Sequence, residues 1–253
     1  MTKLDGIRAH VFRPLPDVLR ADAIAERLTT AISLGLLRQG EKLPVESQLI
    51  DMFGAAGATV RDALQALREE GIIETRRGRS GGTIVIGIPA FDTRALHDRL
   101  KSLSMTELRD LGDELAAVSV ATVRLAHERG LPSDLPRLTM LAGAIVTAAD
   151  PSACSRADSR FHIELAVLAQ SERLMRSEIR LQSETVELLW SAQSVTEDRE
   201  RAAAEHLAIA EALRDEDEEQ AEWLVLQHVN RNVYRMIEAK LTLTYPIETP
   251  ESA

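Results

Sequence analysis

Residues 24–85 read IAERLTTAISLGLLRQGEKLPVESQLIDMFGAAGATVRDALQALREEGIIETRRGRSGGTIV, and this stretch decides the fold of the N-terminal third. Over 18–34 the residues Ala21, Ile24, Ala25, Leu28, Ala31 and Ile32 form one helical stripe. Gly35 and Gly40 bracket a turn. A second, short helix is expected over 46–53 with Leu49, Ile50 and Phe53 inward, closed by the GAAG break at 54–57. A third is expected over 59–70, with Val60, Ala63, Leu64 and Leu67 on one face, Thr59 as N-cap and Gly71 as its end. After Gly71 the period changes. Segments 72–75 and 83–86 read as paired strands, and the loop between them, RRGRSGG at 76–82, holds three arginines and no acid.

Two helices joined by a tight turn and followed by a basic hairpin make a winged helix-turn-helix. In that layout the third helix suits a major groove and the wing suits the phosphates alongside it. The expected DNA-binding residues are Thr59 and Arg61 on the helix and Arg76, Arg77 and Arg79 on the wing. A basic glycine-rich loop by itself is more often a solvated hairpin. The order and spacing of the pieces carry the argument.

The rest of the composition fits a mostly α protein. Of 253 residues 45% are hydrophobic but only 3% aromatic, which favours helices over a β-sandwich. The net charge of −10 is unevenly spread: residues 1–86 carry 12 Lys+Arg against 11 Asp+Glu, and the remainder 18 against 29. A near-neutral module is thus joined to an acidic one, which permits DNA binding by the first. No apolar run has the length of a membrane span, and the N-terminus MTKLDGIRAH lacks the apolar core of a signal peptide. With one cysteine, Cys154, no disulfide forms within a chain. A cytoplasmic protein is expected.

From residue 92 onward the pattern is helical throughout, over 92–102, 105–129, 133–149, 152–170, 171–193, 197–214 and 218–241. Breaks fall at Gly130-Leu131-Pro132, at Asp150-Pro151 and in the acidic run 215–219. The expectation is an antiparallel bundle of six or seven helices. The chain divides into a 1–17 extension, a winged helix-turn-helix over 18–88, a helical effector-binding and dimerisation domain over 89–243, and a 244–253 tail.

Three of the six histidines are informative. In DSRFH, Asp158 and His162 stand at i, i+4, on one helix face. His206 and His228 are equidistant from residue 217, inside the acidic turn between the last two helices. Positions equidistant from the turn of an antiparallel hairpin meet at the same height. Three imidazoles and one carboxylate suit a mononuclear divalent metal: zinc first, with manganese, nickel or iron open. An Asp-x-x-x-His pair alone is usually an ordinary helix pair; the second His pair raises its weight. Trp190 and Trp223 read as core or interface, His97 and His127 as exposed helix residues, and Cys154 as a small buried hydrophobe.

The 24–85 stretch closely resembles the DNA-binding domain of the GntR superfamily. The resemblance rests on GEKLP with Glu46, on Phe53-Gly54, on Val60-Arg61 with Ala63-Leu64, and on the arginine-glycine wing. It implies a dimer on a palindromic operator. Ser47 and Gly57 stand where many members hold arginine, which implies weaker or redirected DNA contacts. Residues 90–240 resemble the FCD effector domain of the FadR branch, through DSRFH, EHLAIAEAL and DEEQA followed by His228. Asp158, His162, His206 and His228 match that domain's metal-ligand positions. The resemblance implies a metal in the central cavity that helps bind a small carboxylate effector. Leu115 and Ser119 fall where members often place an arginine and a glutamate, which implies a more apolar pocket. Arg109 and Arg124 are the candidate substitutes for effector binding.

The expected function is a DNA-binding transcription regulator, a repressor, whose operator affinity responds to that effector. A regulator that senses the metal itself and a metal-dependent hydrolase are the alternatives. The hydrolase has no HExxH and no Glu in a clear general-base position, so no catalytic residue is expected.

Overall fold

The structure is a computed structural model that describes residue 8 and residues 11–12, 21–78, 81–191 and 195–245. Arg79, most of the 1–17 extension and the tail beyond Tyr245 lie outside the described residues. The chain forms two compact units, Met1–Ala90 and Phe91–Ala253.

In the first unit, α1 (Ala21–Ser33), α2 (Glu46–Phe53) and α3 (Gly57–Glu69) precede a hairpin of β1 (Ile73–Arg76) and β2 (Gly82–Val85). The α1 stripe buries Ile24, Leu28, Ala31 and Ile32 against α3, which buries Val60, Ala63, Leu64 and Leu67. Each fully buried Leu or Ile contributes about 1.5–3 kcal/mol. Gly54 ends α2 in the left-handed conformation at φ 65°, with its N–H donating to the Ile50 carbonyl. The chain then re-enters a helix at Gly57, two residues earlier than the sequence suggests. Ala56 is the N-cap, and no side chain caps this end. Thr59 therefore sits inside the first turn of α3 rather than capping it.

The two strands pair antiparallel, with Ile73 opposite Val85 and Arg76 opposite Gly82. The 40–43 segment lies along the far edge of β2: Leu43 N–H donates to Thr83 O, and Val85 N–H to Glu41 O. Val11 and Phe12, from the expected extension, are part of this unit's core, Phe12 meeting Phe53 edge-to-face at 5.9 Å.

Among the described residues, the second unit contains seven α-helices: α4 (Thr93–Ser102), α5 (Met105–Arg129), α6 (Leu135–Gly143), α7 (Pro151–Leu168), α8 (Glu172–Ser191), α9 (Val195–Arg214) and α10 (Glu218–Thr244). The sequence chose the helix starts. Ser104 and Glu107 form a reciprocal capping box on α5, while Asp92, Asp150 and Asp217 each accept a first-turn N–H of α4, α7 and α10. The single helix expected over 133–149 is instead α6 flanked by two 3-10 segments, Pro132–Asp134 and Ala144–Thr147. Helix α7 is the centre of the bundle, with eleven buried residues of its 18, polar Asp158 and His162 among them. Gly112 allows α5 close to α10, since a Cβ there would lie 3.0 Å from both methyl groups of Val233. Among the described residues no helix is long and apolar enough to cross a membrane.

Candidate metal centre

Three helices bring the metal-ligand candidates together in the second unit. Asp158 and His162 come from α7, His206 from α9 and His228 from α10, and one ligand atom from each lies within 4.8 Å of all the others. All four are buried, none more than 5% exposed. Asp158 Oδ1 lies 3.2 Å from His206 Nε2 and 3.5 Å from His162 Nε2, and His162 Nε2 lies 3.2 Å from His228 Nε2. Ligand atoms about 2.0–2.1 Å from one tetrahedral centre stand about 3.3 Å apart, so these three separations match such a shell, and the wider ones, up to 4.8 Å, need small side-chain shifts to close on one ion.

The surroundings orient each ligand. Trp190, on α8, donates its indole N–H to Asp158 Oδ2 at 2.7 Å, leaving Oδ1 for the centre. Glu205 Oε2 accepts from His228 Nδ1 at 2.7 Å and is itself paired with Arg231. A carboxylate only accepts, so the proton is on Nδ1 and a lone pair on Nε2. His206 stacks on Phe161 with ring centroids 4.0 Å apart, and neither of its ring nitrogens has a hydrogen-bond partner. A buried polar atom without a partner costs about 1–3 kcal/mol. A cation bound by Asp158 Oδ1 and His206 Nε2 removes that cost. The donor set thus fits a divalent metal, held by Asp158, His162, His206 and His228, without selecting among zinc, manganese, nickel and iron.

The electrostatics agree. Burial works against an ionised Asp158, but the close imidazoles of His162 and His206 outweigh it and hold the carboxyl well below its ordinary value. Burial lowers His206, and lowers His228 further with the help of the two neighbouring imidazoles, which favours the neutral form that a metal ligand requires. For His162 burial is overcome by Asp158, with help from Glu178, and its value is raised. A metal there displaces that proton. Glu178 on α8 is 1% exposed, and burial pushes its carboxyl up. Its Oε1 accepts from the Gln182 amide at 2.9 Å.

A cavity of about 30 Å³ adjoins the cluster, enough to admit water and small beside ordinary ligand pockets. Leu115, Ser119, Val186 and Val229 line it together with Gln182 and Asn232, and among the described residues no Lys or Arg is on its wall. Leu115 and Ser119 thus occupy the pocket face that the sequence suggested. The expected effector arginines do not. Arg109 is exposed and paired with Asp110, and Arg124 is exposed and bridges to Glu218 and Glu222 on α10. Both directly follow a buried position of α5, Leu108 and Val123, and so lie about 100° round the helix from the buried stripe. Trp223 is 54% exposed, which leaves the interface reading, while His97, 3.0 Å from the Ser191 carbonyl, and His127 are half-buried rather than exposed.

In the first unit, Arg61 is exposed on α3, donating to the Gly57 carbonyl and facing Glu46 at 3.7 Å. Arg76 and Arg77 are exposed on the hairpin, Arg76 paired with Glu74, and Thr59 is half-buried. Sequence reasoning passed over Arg68, which reaches from α3 to Thr75 Oγ1 on β1 and to Gln65, tying helix to wing. It also missed Trp190 as a partner of Asp158, and it missed Glu205, Glu178 and Asn232. For Glu205 the adjacency to His206 was the available signal. For Asn232 the signal was its i, i+4 spacing from His228, whereas Trp190 lies 32 residues from Asp158.

Residues 20–84 match the gntR family of bacterial regulatory proteins, and residues 110–231 match the FCD domain. A Mycobacterium gastri protein carrying the name HTH-type transcriptional regulator RmpR is 50% identical over 247 residues, 97% of this chain and 90% of that protein. The HTH-type transcriptional repressor NanR of Cronobacter sakazakii is 26% identical over 231 residues, 86% of this chain and 85% of NanR. The solved structure of E. coli McbR/YncC is similar with a TM-score of 0.54 at 17% identity, over 86% of this chain and 97% of that one.

Proposed function

The chain belongs to the gntR family of bacterial regulatory proteins and carries an FCD effector domain; from that premise we propose that it is a repressor whose operator binding is set by a small carboxylate held at a metal centre in the helical unit. It is a DNA-binding transcription regulator, not an enzyme, as its relatives are. The hydrolase alternative falls with that.

The observation that carries the proposal is the buried Asp158–His162–His206–His228 cluster with its unpartnered His206 nitrogens. When bound, a divalent cation supplies Lewis acidity and positive charge in this pocket. Asp158 is the one charge in the ligand set, so a net positive charge is left, which one further carboxylate balances. No basic side chain on the cavity wall competes for that role. Trp190 and Glu205 keep the ligands aimed, while Leu115, Val186 and Val229 exclude water.

The cavity of about 30 Å³ is small beside ordinary ligand pockets of about 300–1,000 Å³, and in this reading effector entry widens it by moving helices of the bundle. In a homodimer on a palindromic operator, such a shift alters the spacing of the two recognition helices against the half-sites. On the DNA side Thr59, Arg61, Arg76, Arg77 and Arg79 are the proposed contacts. The name of NanR supports repression as the direction.

Fluorescence anisotropy on DNA from upstream of the protein's own gene tests this, with zinc present and acetate as the carboxylate probe. Sequence-preferring binding that weakens with acetate, and does so only with His206 intact, is the expected result. Absence of any sequence preference defeats the regulator's operator model. Binding that follows zinc but ignores acetate and larger organic acids favours the second reading, a metal sensor, to which the small cavity also lends weight.

A further inference from the structure

We propose that Asn232 couples filling of the metal centre to capture of the effector, because its amide and the cation compete for one lone pair on His228. The inference rests on the metal-centre reading above. Glu205 fixes the His228 proton on Nδ1, so Nε2 presents a lone pair to the centre. Asn232 lies one turn after His228 on α10, and its Nδ2 is 3.0 Å from that nitrogen. Only the amide N–H can bond a lone pair, so this contact is a donation from Asn232 to His228. A cation accepting the same lone pair displaces the amide.

Asn232 is on the cavity wall, with Ser119, Gln182 and Thr185 as other polar neighbours there. The Gln182 amide donates to Glu178 and the Thr185 hydroxyl to the Leu181 carbonyl. Asn232 is the wall donor that the cation itself releases, because its amide rests on the His228 lone pair. The freed N–H meets an acceptor oxygen on the ligand, a carboxylate or a hydroxyl oxygen, where no arginine or lysine is available. Metal first and effector second follows as the binding order, and by linkage each strengthens the other.

The test uses the full chain, stripped of metal, as wild type, Asn232→Leu and Asn232→Ala. Zinc affinity is measured by competition with a chelating dye, with and without acetate. Removing the competitor is expected to tighten zinc about two- to tenfold, the worth of one neutral hydrogen bond. A residue with a merely structural role would weaken zinc binding or leave it alone. Acetate is expected to tighten zinc on the wild type, and to do so less in both variants, which keep the cation's charge but lose the amide donor. Zinc affinity unchanged or weaker in the variants overturns the proposal. So does an acetate effect that is undiminished in them, or is missing from the wild type. If the wild type itself binds no zinc, the metal-centre reading fails as well, which is a different result from variants that do not tighten.

Discussion

Replacing Trp190 by phenylalanine isolates what the indole N–H does for the metal centre. The side chain is 1% exposed and its Nε1 donates to Asp158 Oδ2 at 2.7 Å. The phenyl ring keeps most of the packing and loses the donor. Hydrogen bonds to charged groups are worth about 1.5–3 kcal/mol, and here the loss leaves a buried carboxylate oxygen without a partner. For a domain of this size that predicts a fall in Tm of about 3–12 °C in the metal-free protein. Asp158 is also freed to rotate about its side-chain bonds, so Oδ1 is no longer aimed at the His206 and His162 nitrogens. Losing such an outer-shell partner costs about 10–100-fold in metal affinity. The assay pairs calorimetry of metal-free protein with zinc competition, and Val186→Ala serves as control. That variant also thins the cavity wall and lowers Tm, but leaves the Trp190–Asp158 bond in place and should keep zinc affinity near wild type. The reasoning is refuted if Trp190→Phe binds zinc as tightly as the wild type, or if Val186→Ala weakens zinc just as much.

Other perturbations reach different parts of the molecule. Glu216 holds φ 58° in the turn between α9 and α10; Glu216→Gly relieves that left-handed strain, and calorimetry should show Tm about 2–4 °C higher, near 1 kcal/mol. Cys154 is fully buried, and burial pushes its thiol up to about 11. Native protein should therefore resist iodoacetamide at pH 8. Because the folded value lies above the ordinary one near 9, the associated stability is complete below pH 9 and lost as pH rises through 11. Cys154→Ala should lack that part of the alkaline fall in Tm. Arg77→Ala on the wing should weaken DNA of every sequence alike and reduce the slope of log affinity against log salt by about 1; a loss confined to one sequence would instead make Arg77 a base reader.

Local signals in the sequence proved sufficient for much of the fold. Ser104 with Glu107, and Gly130 beyond Arg129, define α5 between the ends expected for it. The turn at Asp217 gives the symmetry that sets His206 against His228, whose rings are 4.8 Å apart. The start of α3 was misplaced because Thr59 is a good N-cap residue, yet the left-handed Gly54 lets the helix begin at Gly57 without one. The 133–149 stretch is apolar enough for one helix, but it divides into 3-10 and α segments packed against α9. Val11 and Phe12 were hidden in a short segment with no period to read. At the site, the meeting of Asp158, His162, His206 and His228 was legible because i, i+4 spacing and hairpin symmetry are sequence properties. The roles of Trp190 and Glu178 depend on tertiary packing of α8 against α7, which no local pattern encodes; Asn232, at i, i+4 from His228, was open to a local reading. For the same reason Arg109 and Arg124 looked suitable by charge and failed by direction.

The central claim is that the buried His–Asp cluster is a metal centre, and thermal unfolding of wild type and His206→Phe, each with and without zinc, tests it most directly. A phenyl ring keeps the stack on Phe161 and removes two unpartnered nitrogens, so the variant should match or exceed the wild type in Tm when both are metal-free. Zinc at a hundredfold excess over its Kd should stabilise the wild type by about 2.7 kcal/mol, or about 5–11 °C, and should leave His206→Phe unmoved. A wild type indifferent to zinc, or a variant that responds as strongly as the wild type, would contradict the account.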